Sequence, residues 1–410
     1  MKEIDIVFNI DYNSKMDVGP LYKDIPKYIE FIQVNDFEQF KRLVYMLEDD
    51  MKCYIWVHPS FSAERVEKGY KSNVMSESVP ILEKLNIEFI KITRSTGKTN
   101  EKGFYDVNDM LLLKSNGIKV YSAKELKEKI LYEQAQIKEI ETKEIINSLP
   151  VVVILTAIQE EYKAVRNHLD DIIDDDKEDI GYESGIFNYN DIPIAKVIIR
   201  ECGPKNTKAA QETQRAIYHF KPACMFFVGI AGSRKQKDFD VGDVIFPEQI
   251  YSYESGKAEK GSFLARPNIA KSSVSLFEKA KKERSKEDWK SLIIGDWEQE
   301  FKADIGIIAS GEQLIEHYDS QIGKILTDHY NDTHAVEMEG FGFADVASRQ
   351  GGIHDNIKVG VVRGISDIIK KDDDSNKSSQ NTDNRPLAVK EMASATASAF
   401  AYWLIYKTYS

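Results

Sequence analysis

The 410-residue chain is longer than one average domain, and its 42% hydrophobic content is enough to build ordinary buried cores. Its net charge of −12, from 67 acidic and 55 basic side chains, argues against a surface that wraps nucleic acid, though it leaves room for a small basic pocket. Cys53, Cys202 and Cys224 show no paired spacing, so neither a disulfide framework nor a zinc site is expected.

Along the first block, short runs rich in Ile, Val and Phe read as buried strands: Ile4–Ile10, Tyr28–Val34, Cys53–Val57, Ile87–Ile92 and Ile118–Tyr121. Helical patterns such as Phe37–Leu47 and Val79–Leu85 lie between them, which predicts a small open α/β sheet over residues 1–122. Ala123–Ile146 is rich in Lys and Glu at i,i+4 spacing, the pattern of a solvated helix, and residues 123–149 read as a connector. The second block, 150–410, opens on Val151–Leu155 and continues with strands at Ile194–Ile199, Met225–Val228, Val244–Phe246, Ile305–Ile308 and Lys358–Val362. Helices are expected at Gln159–Leu169, Thr207–Phe220, Val274–Lys282, Met338–Ser348 and Leu387–Tyr406, with a polar loop at Lys370–Asn384.

The first residues lack a basic region followed by an apolar stretch, and the longest apolar run, about Val151–Ile158, falls short of the roughly 20 residues of a membrane span. A cytoplasmic protein with no membrane or nucleic-acid partner is expected.

Functional groups on an α/β sheet gather where strands give way to loops. Four such places in the second block carry polar residues: Glu160 and Glu161 after Leu155; the small-residue turn Gly229-Ile-Ala-Gly-Ser233; Glu337 and Glu339 around Met338; and Arg363, Ser366 and Asp367 at the end of an apolar strand. Each has a bland reading. Acidic residues suit a helix's first turn, glycines suit turns, and Ser-Asp pairs suit N-caps.

Taken in order, the segments Ala157-Ile-Gln-Glu-Glu161, Gly229-Ile-Ala-Gly232, Val241-Gly-Asp-Val244, Ser310-Gly-Glu-Gln-Leu-Ile315, Val336-Glu-Met-Glu-Gly340 and Arg363-Gly-Ile-Ser-Asp367 resemble the nucleoside phosphorylase superfamily. Within it, the block is similar to the methylthioadenosine/S-adenosylhomocysteine nucleosidases. The resemblance implies a nucleoside-phosphorylase-like α/β domain that breaks the N-glycosidic bond of a purine nucleoside or nucleotide. It assigns Asp367 as the acid that protonates the departing base, with Ser366 holding it. Glu339 accepts the ribose hydroxyls, Met338 packs on the sugar, Glu161 binds the attacking water, and Arg363 lies near that water and Glu339. Leu314 and Ile315 line the base pocket. Glu337, Gly229 and Ile230 are placed at the substrate, and Ile230 departs from the serine common in nucleosidases.

A glutamate at position 161 favours hydrolysis, while Gly203-Pro-Lys-Asn206, at the superfamily's glycine turn, leaves phosphorolysis open. Lys205, Arg234, Lys235 and Arg266 are candidate cations for 5′-phosphates, should they converge. The chemistry needs no metal or organic cofactor, though magnesium can accompany a triphosphate. The resemblance also implies a homo-oligomer.

The first block resembles the receiver or flavodoxin-like fold, but its third strand ends in His58-Pro-Ser60 where a receiver has its aspartate, and Asp11 has no acidic neighbour. A degenerate regulatory domain is the expectation. The arrangement resembles bacterial antiphage effectors whose nucleosidase module cleaves ATP or related adenine nucleotides when a sensor fires. A binding module that senses a nucleotide without cutting it is the non-enzymatic alternative.

Overall fold

A computed structural model describes residues 144–260, 262–351, 357–370 and 386–410, together with four strands nearer the N-terminus and residues 42 and 132. The chain divides into two compact units, Met1–Glu144 and Ile145–Ser410. In the first, Ile4–Ile10, Glu30–Val34, Lys52–Val57 and Glu88–Lys91 form a parallel sheet. Its order places the second strand beside the first, then the third and fourth. The expected strand at 118–121, the helices between strands, Asp11, His58, most of the connector and most of the 370–384 loop lie outside the described residues.

The second unit is built on β1 (Val151–Thr156), α1 (Gln159–Arg166), β2 (Ile192–Glu201), α2 (Asn206–Phe220), β3 (Cys224–Ser233) and β4 (Val244–Ser252). It continues through β5 (Ala303–Ser310), β6 (Ala335–Glu337), α3 (Gly340–Gly351), β7 (Lys358–Ile368) and α4 (Leu387–Tyr409). Strands β2, β1, β3, β6, β5 and β4 follow one another across a mixed sheet. Strand β7 pairs with both β3 and β4, so β3, β6, β5, β4 and β7 close a five-strand ring.

The continuous apolar run of β1 follows from burial on both faces. Val152 and Ile154 face the cluster containing Phe400 and Leu404 of α4, while Val153 and Leu155 face Phe343 and Ala344 of α3. Helix α4 has no polar stripe, because every residue from Met392 to Ile405 is buried. A helix that is buried all round needs none. It packs on β7 and α1, and so holds the strand carrying Asp367 and the helix carrying Glu161 in one frame.

Several boundaries differ from the sequence expectations, each for a local reason. Gly229–Ser233 is not a turn: it continues β3 in register with Arg363–Ile368 of β7. Helix α3 starts at Gly340 rather than Met338, because the Glu337 carboxylate accepts the backbone N–H groups of Glu339 and Gly340 at 2.9 and 2.7 Å and fixes the turn there. The exposed edge strand Asp170–Asp174 and the largely buried strand Glu183–Tyr189 beside it had no expectation at all. The first of these is mostly acidic and carries no alternating pattern.

Candidate active site

The ends of β1, β3, β6 and β7 open on one cleft that encloses about 770 Å³, its mouth included. Glu161, Glu337, Glu339 and Asp367 line it together with Ile230, Leu314, Ile315 and Met338. Eight of the thirteen residues expected at the site are thus on its wall. Arg363 and Ser366 lie immediately behind, as partners of lining carboxylates.

Glu161 is 2% exposed. One carboxylate oxygen accepts the backbone N–H of Ala157 at 2.7 Å and of Ile158 at 3.1 Å; the other accepts Ile230 N–H at 2.9 Å. The bland reading is therefore half right, since this glutamate closes the N-terminus of α1. It also faces the cleft. Burial raises its pKa above the ordinary carboxylate value, against the Arg363 charge and the three backbone donors.

Arg363 is fully buried, with its guanidinium 4.7 Å from the centre of the Phe227 ring. It pairs with Glu337 and, at 3.2 Å, with Glu339 Oε2. Its Nη1 has no protein hydrogen-bond partner, and a Cβ added to Gly229 would collide with it and sit 2.6 Å from Glu161 Oε1. Gly229 is hence required by close approach of these two charged groups to the strand, and it lies beneath the cleft rather than on its wall.

Glu339 takes its other bond from Lys205 N–H at 3.0 Å. Burial, followed by the charges of Glu337 and Glu161, pushes its pKa up to about 8 despite Arg363. Asp367 sits past a register shift in β7, beside Gly232, where an added Cβ would come within 3.1 Å of its carboxylate. Ser366 Oγ donates to Asp367 Oδ1 at 2.9 Å and lies 3.3 Å from Ala231 O. This serine holds the carboxylate rather than capping a helix.

The proposed cluster of cations does not form. Arg234 is buried and bonds Tyr330 O at 3.0 Å and Thr333, packing the wall behind the site. Lys235 binds Asp332 O at 3.1 Å. Arg266 is exposed next to the Ser262–Ala265 strand, with its backbone bonded to Ser255 O at 2.9 Å, and is not on the cleft. Lys205 reaches the site through its backbone, in a conformation with φ 102°, while the residue is exposed.

Other residues were given no role in the sequence: Lys390 lies in no motif, while Pro204, Asn206 and Gln313 fall in segments quoted above without being singled out. Lys390, in the first turn of α4, lines the cleft, as do Pro204 and Gln313. Asn206 Oδ1 accepts from Ser310 Oγ at 2.9 Å and from Gly342 N–H at 2.8 Å, tying the start of α2 to β5 and α3. Among the described residues no group of three or more His, Cys, Asp or Glu could hold a metal ion, and no helix is long and apolar enough to cross a membrane.

The phosphorylase superfamily model matches residues 151–401, and the chain belongs to that superfamily. Among curated proteins it is similar to the ATP nucleosidase Cap17 of Escherichia coli (strain KTE188), 27% identical over 241 residues, covering 53% of this chain and 46% of that one. The chain spans about half the length of the curated relatives it matches. Similar solved structures include the 5′-methylthioadenosine/S-adenosylhomocysteine nucleosidase of Colwellia psychrerythraea 34H in complex with adenine, at 19% identity and TM-score 0.49, covering 63% of this chain and 95% of that one. Futalosine hydrolase of Helicobacter pylori strain 26695 is also similar, at 19% identity and TM-score 0.48, covering 64% and 99%.

Proposed function

We propose that this protein hydrolyses the N-glycosidic bond of an adenine nucleoside or nucleotide, ATP included, and acts in the cytoplasm as a regulated effector of antiphage defence. The observation that carries the catalytic part is the meeting of Glu161, Glu339 and Asp367 on one cleft over a single buried arginine. The relative's name, ATP nucleosidase, supports the substrate.

Breaking the bond leaves negative charge on the base and positive charge on the ribose. Asp367, oriented by Ser366, protonates N7 of the departing purine; acid catalysis of this kind is worth about 10²–10⁴ in rate. Glu339, in its ionised form, accepts the ribose hydroxyls and stabilises the cationic sugar. Glu161 and the free Nη1 of Arg363 orient the attacking water. Glu337 does not need to touch substrate, because it already holds Arg363 and the turn carrying Met338 and Glu339. Leu314 and Ile315 supply the apolar wall for the base.

Residues 1–122 form a degenerate receiver-like or flavodoxin-like regulatory domain in this reading, 123–149 a helical connector and 150–410 the catalytic domain. The strand order of the first unit, second-first-third-fourth, supports it. An upstream sensor acts through that domain, and the protein works as a homo-oligomer.

Chromatographic analysis of products from ATP, AMP, adenosine and methylthioadenosine, with and without inorganic phosphate, tests the reaction. Free adenine and a free-hydroxyl sugar, formed without phosphate, are expected. Ribose 1-phosphate formed only with phosphate would make the protein a phosphorylase.

A further inference from the structure

Four carboxylates line the cleft, and the arginine behind them pairs with Glu337 and Glu339. None of these groups attracts a polyanionic substrate, which needs a further cation facing it. Lys390 is the one basic side chain on the wall among the described residues. No carboxylate among them lies within ion-pairing distance of it.

Its position in the cleft follows by elimination, given the glycosidase reading on which this step rests. Asp367, Gly232, Leu314 and Ile315 take the base; Glu339 and Met338 take the sugar. Among the lining residues given neither to base, sugar nor water, Lys390 is the one that carries a positive charge, and the part of the substrate left to meet it is the 5′ end. The turn bearing Pro204 brings two more lysines. Lys205 is exposed and gives only its backbone N–H to Glu339, and Lys208 Nζ lies 3.0 Å from where a Cβ on Gly203 would stand.

We propose that Lys390 is a specificity-determining residue that binds a phosphate on the 5′ carbon of the nucleotide, with Lys205 and Lys208 as flanking cations. The ammonium donates charge-assisted hydrogen bonds to the phosphate oxygens, so that a nucleoside 5′-phosphate is preferred to the bare nucleoside.

Calorimetric titration of the full chain with ATP, AMP and adenosine, beside adenine-release kinetics, tests this in Lys390→Ala and Lys390→Arg. The preference for ATP over adenosine should fall about tenfold or more in Lys390→Ala, the scale of one charge-assisted hydrogen bond, and appear in KM rather than kcat. Lys390→Arg should keep most of it. An unchanged ATP-to-adenosine ratio in Lys390→Ala overturns the proposal, as does equal weakening of both ligands. The expected binding ratios without adenine release would refute the glycosidase reading and leave the lysine's role standing. Adenine release with no effect of Lys390→Ala on selectivity would do the reverse, and failure of all three ligands to bind would refute both.

Discussion

Glu339 shows how the neighbourhood of a side chain sets its chemistry. Its oxygens meet Lys205 N–H and Arg363, but burial and two nearby glutamates outweigh them and push its pKa up to about 8. In the substrate-free protein this group keeps a proton that the unfolded chain has already released. Its contribution to stability therefore falls as pH rises from 4.5 towards about 8 and levels off above that. In the proposed reaction the ionised form is the one that stabilises a cationic sugar, so kcat/KM should rise with pH through the same region. Removing the charge of Glu337 in Glu337→Gln takes away one cause of the elevation. The rising limb of the pH profile should then move to lower pH; a limb that stays in place or moves up would contradict this electrostatic account. That these residues come together was readable at this scale, because Glu-Met-Glu-Gly and Arg-Gly-Ile-Ser-Asp both supply side chains to the one cleft or its back wall. The division of labour was not readable. The resemblance gave Glu339 the ribose and put Glu337 at the substrate, but residue type alone does not say that Glu337 holds Arg363 and the turn.

Elements were legible where burial imposes a pattern. The runs in β1 and β7 are apolar because both faces are covered, and α4 reads as a buried helix along its length. The reading failed at Gly229–Ser233, where glycines suggested a turn. There the small residues belong to a strand that must pass close to Arg363, Glu161 and Asp367, so the same composition answers a packing demand. It failed also at β6, a three-residue strand too short for any periodicity. Cations were the poorest guide. Arg234 is chosen for a buried hydrogen-bonding position, whereas Lys390, in no motif, is on the cleft. The link between elements rests partly on Asn206, whose side-chain oxygen receives both Ser310 and Gly342. Asn206→Ala leaves those donors without their acceptor and should cost about 1–3 kcal/mol, the penalty for unsatisfied buried groups. Urea denaturation measures it, and a loss of only a few tenths would show that α2 and α3 are held together by apolar packing alone.

For the molecule as a whole, the site depends on β1, β3, β6 and β7 ending at one place, a consequence of the ring that β7 closes by pairing with β3 and β4. Residues more than 200 positions apart, Glu161 and Asp367, become neighbours on one wall because β1 and β7 both pair with β3. Order along the chain announced the set of groups; it could not announce the ring. Adenine release from ATP by the intact protein and by Asp367→Asn, with melting temperatures taken on the same samples, tests the central claim most directly. A drop of about 10²-fold or more at unchanged melting temperature is the expected result for loss of the acid. Full-speed release by the folded variant would contradict it.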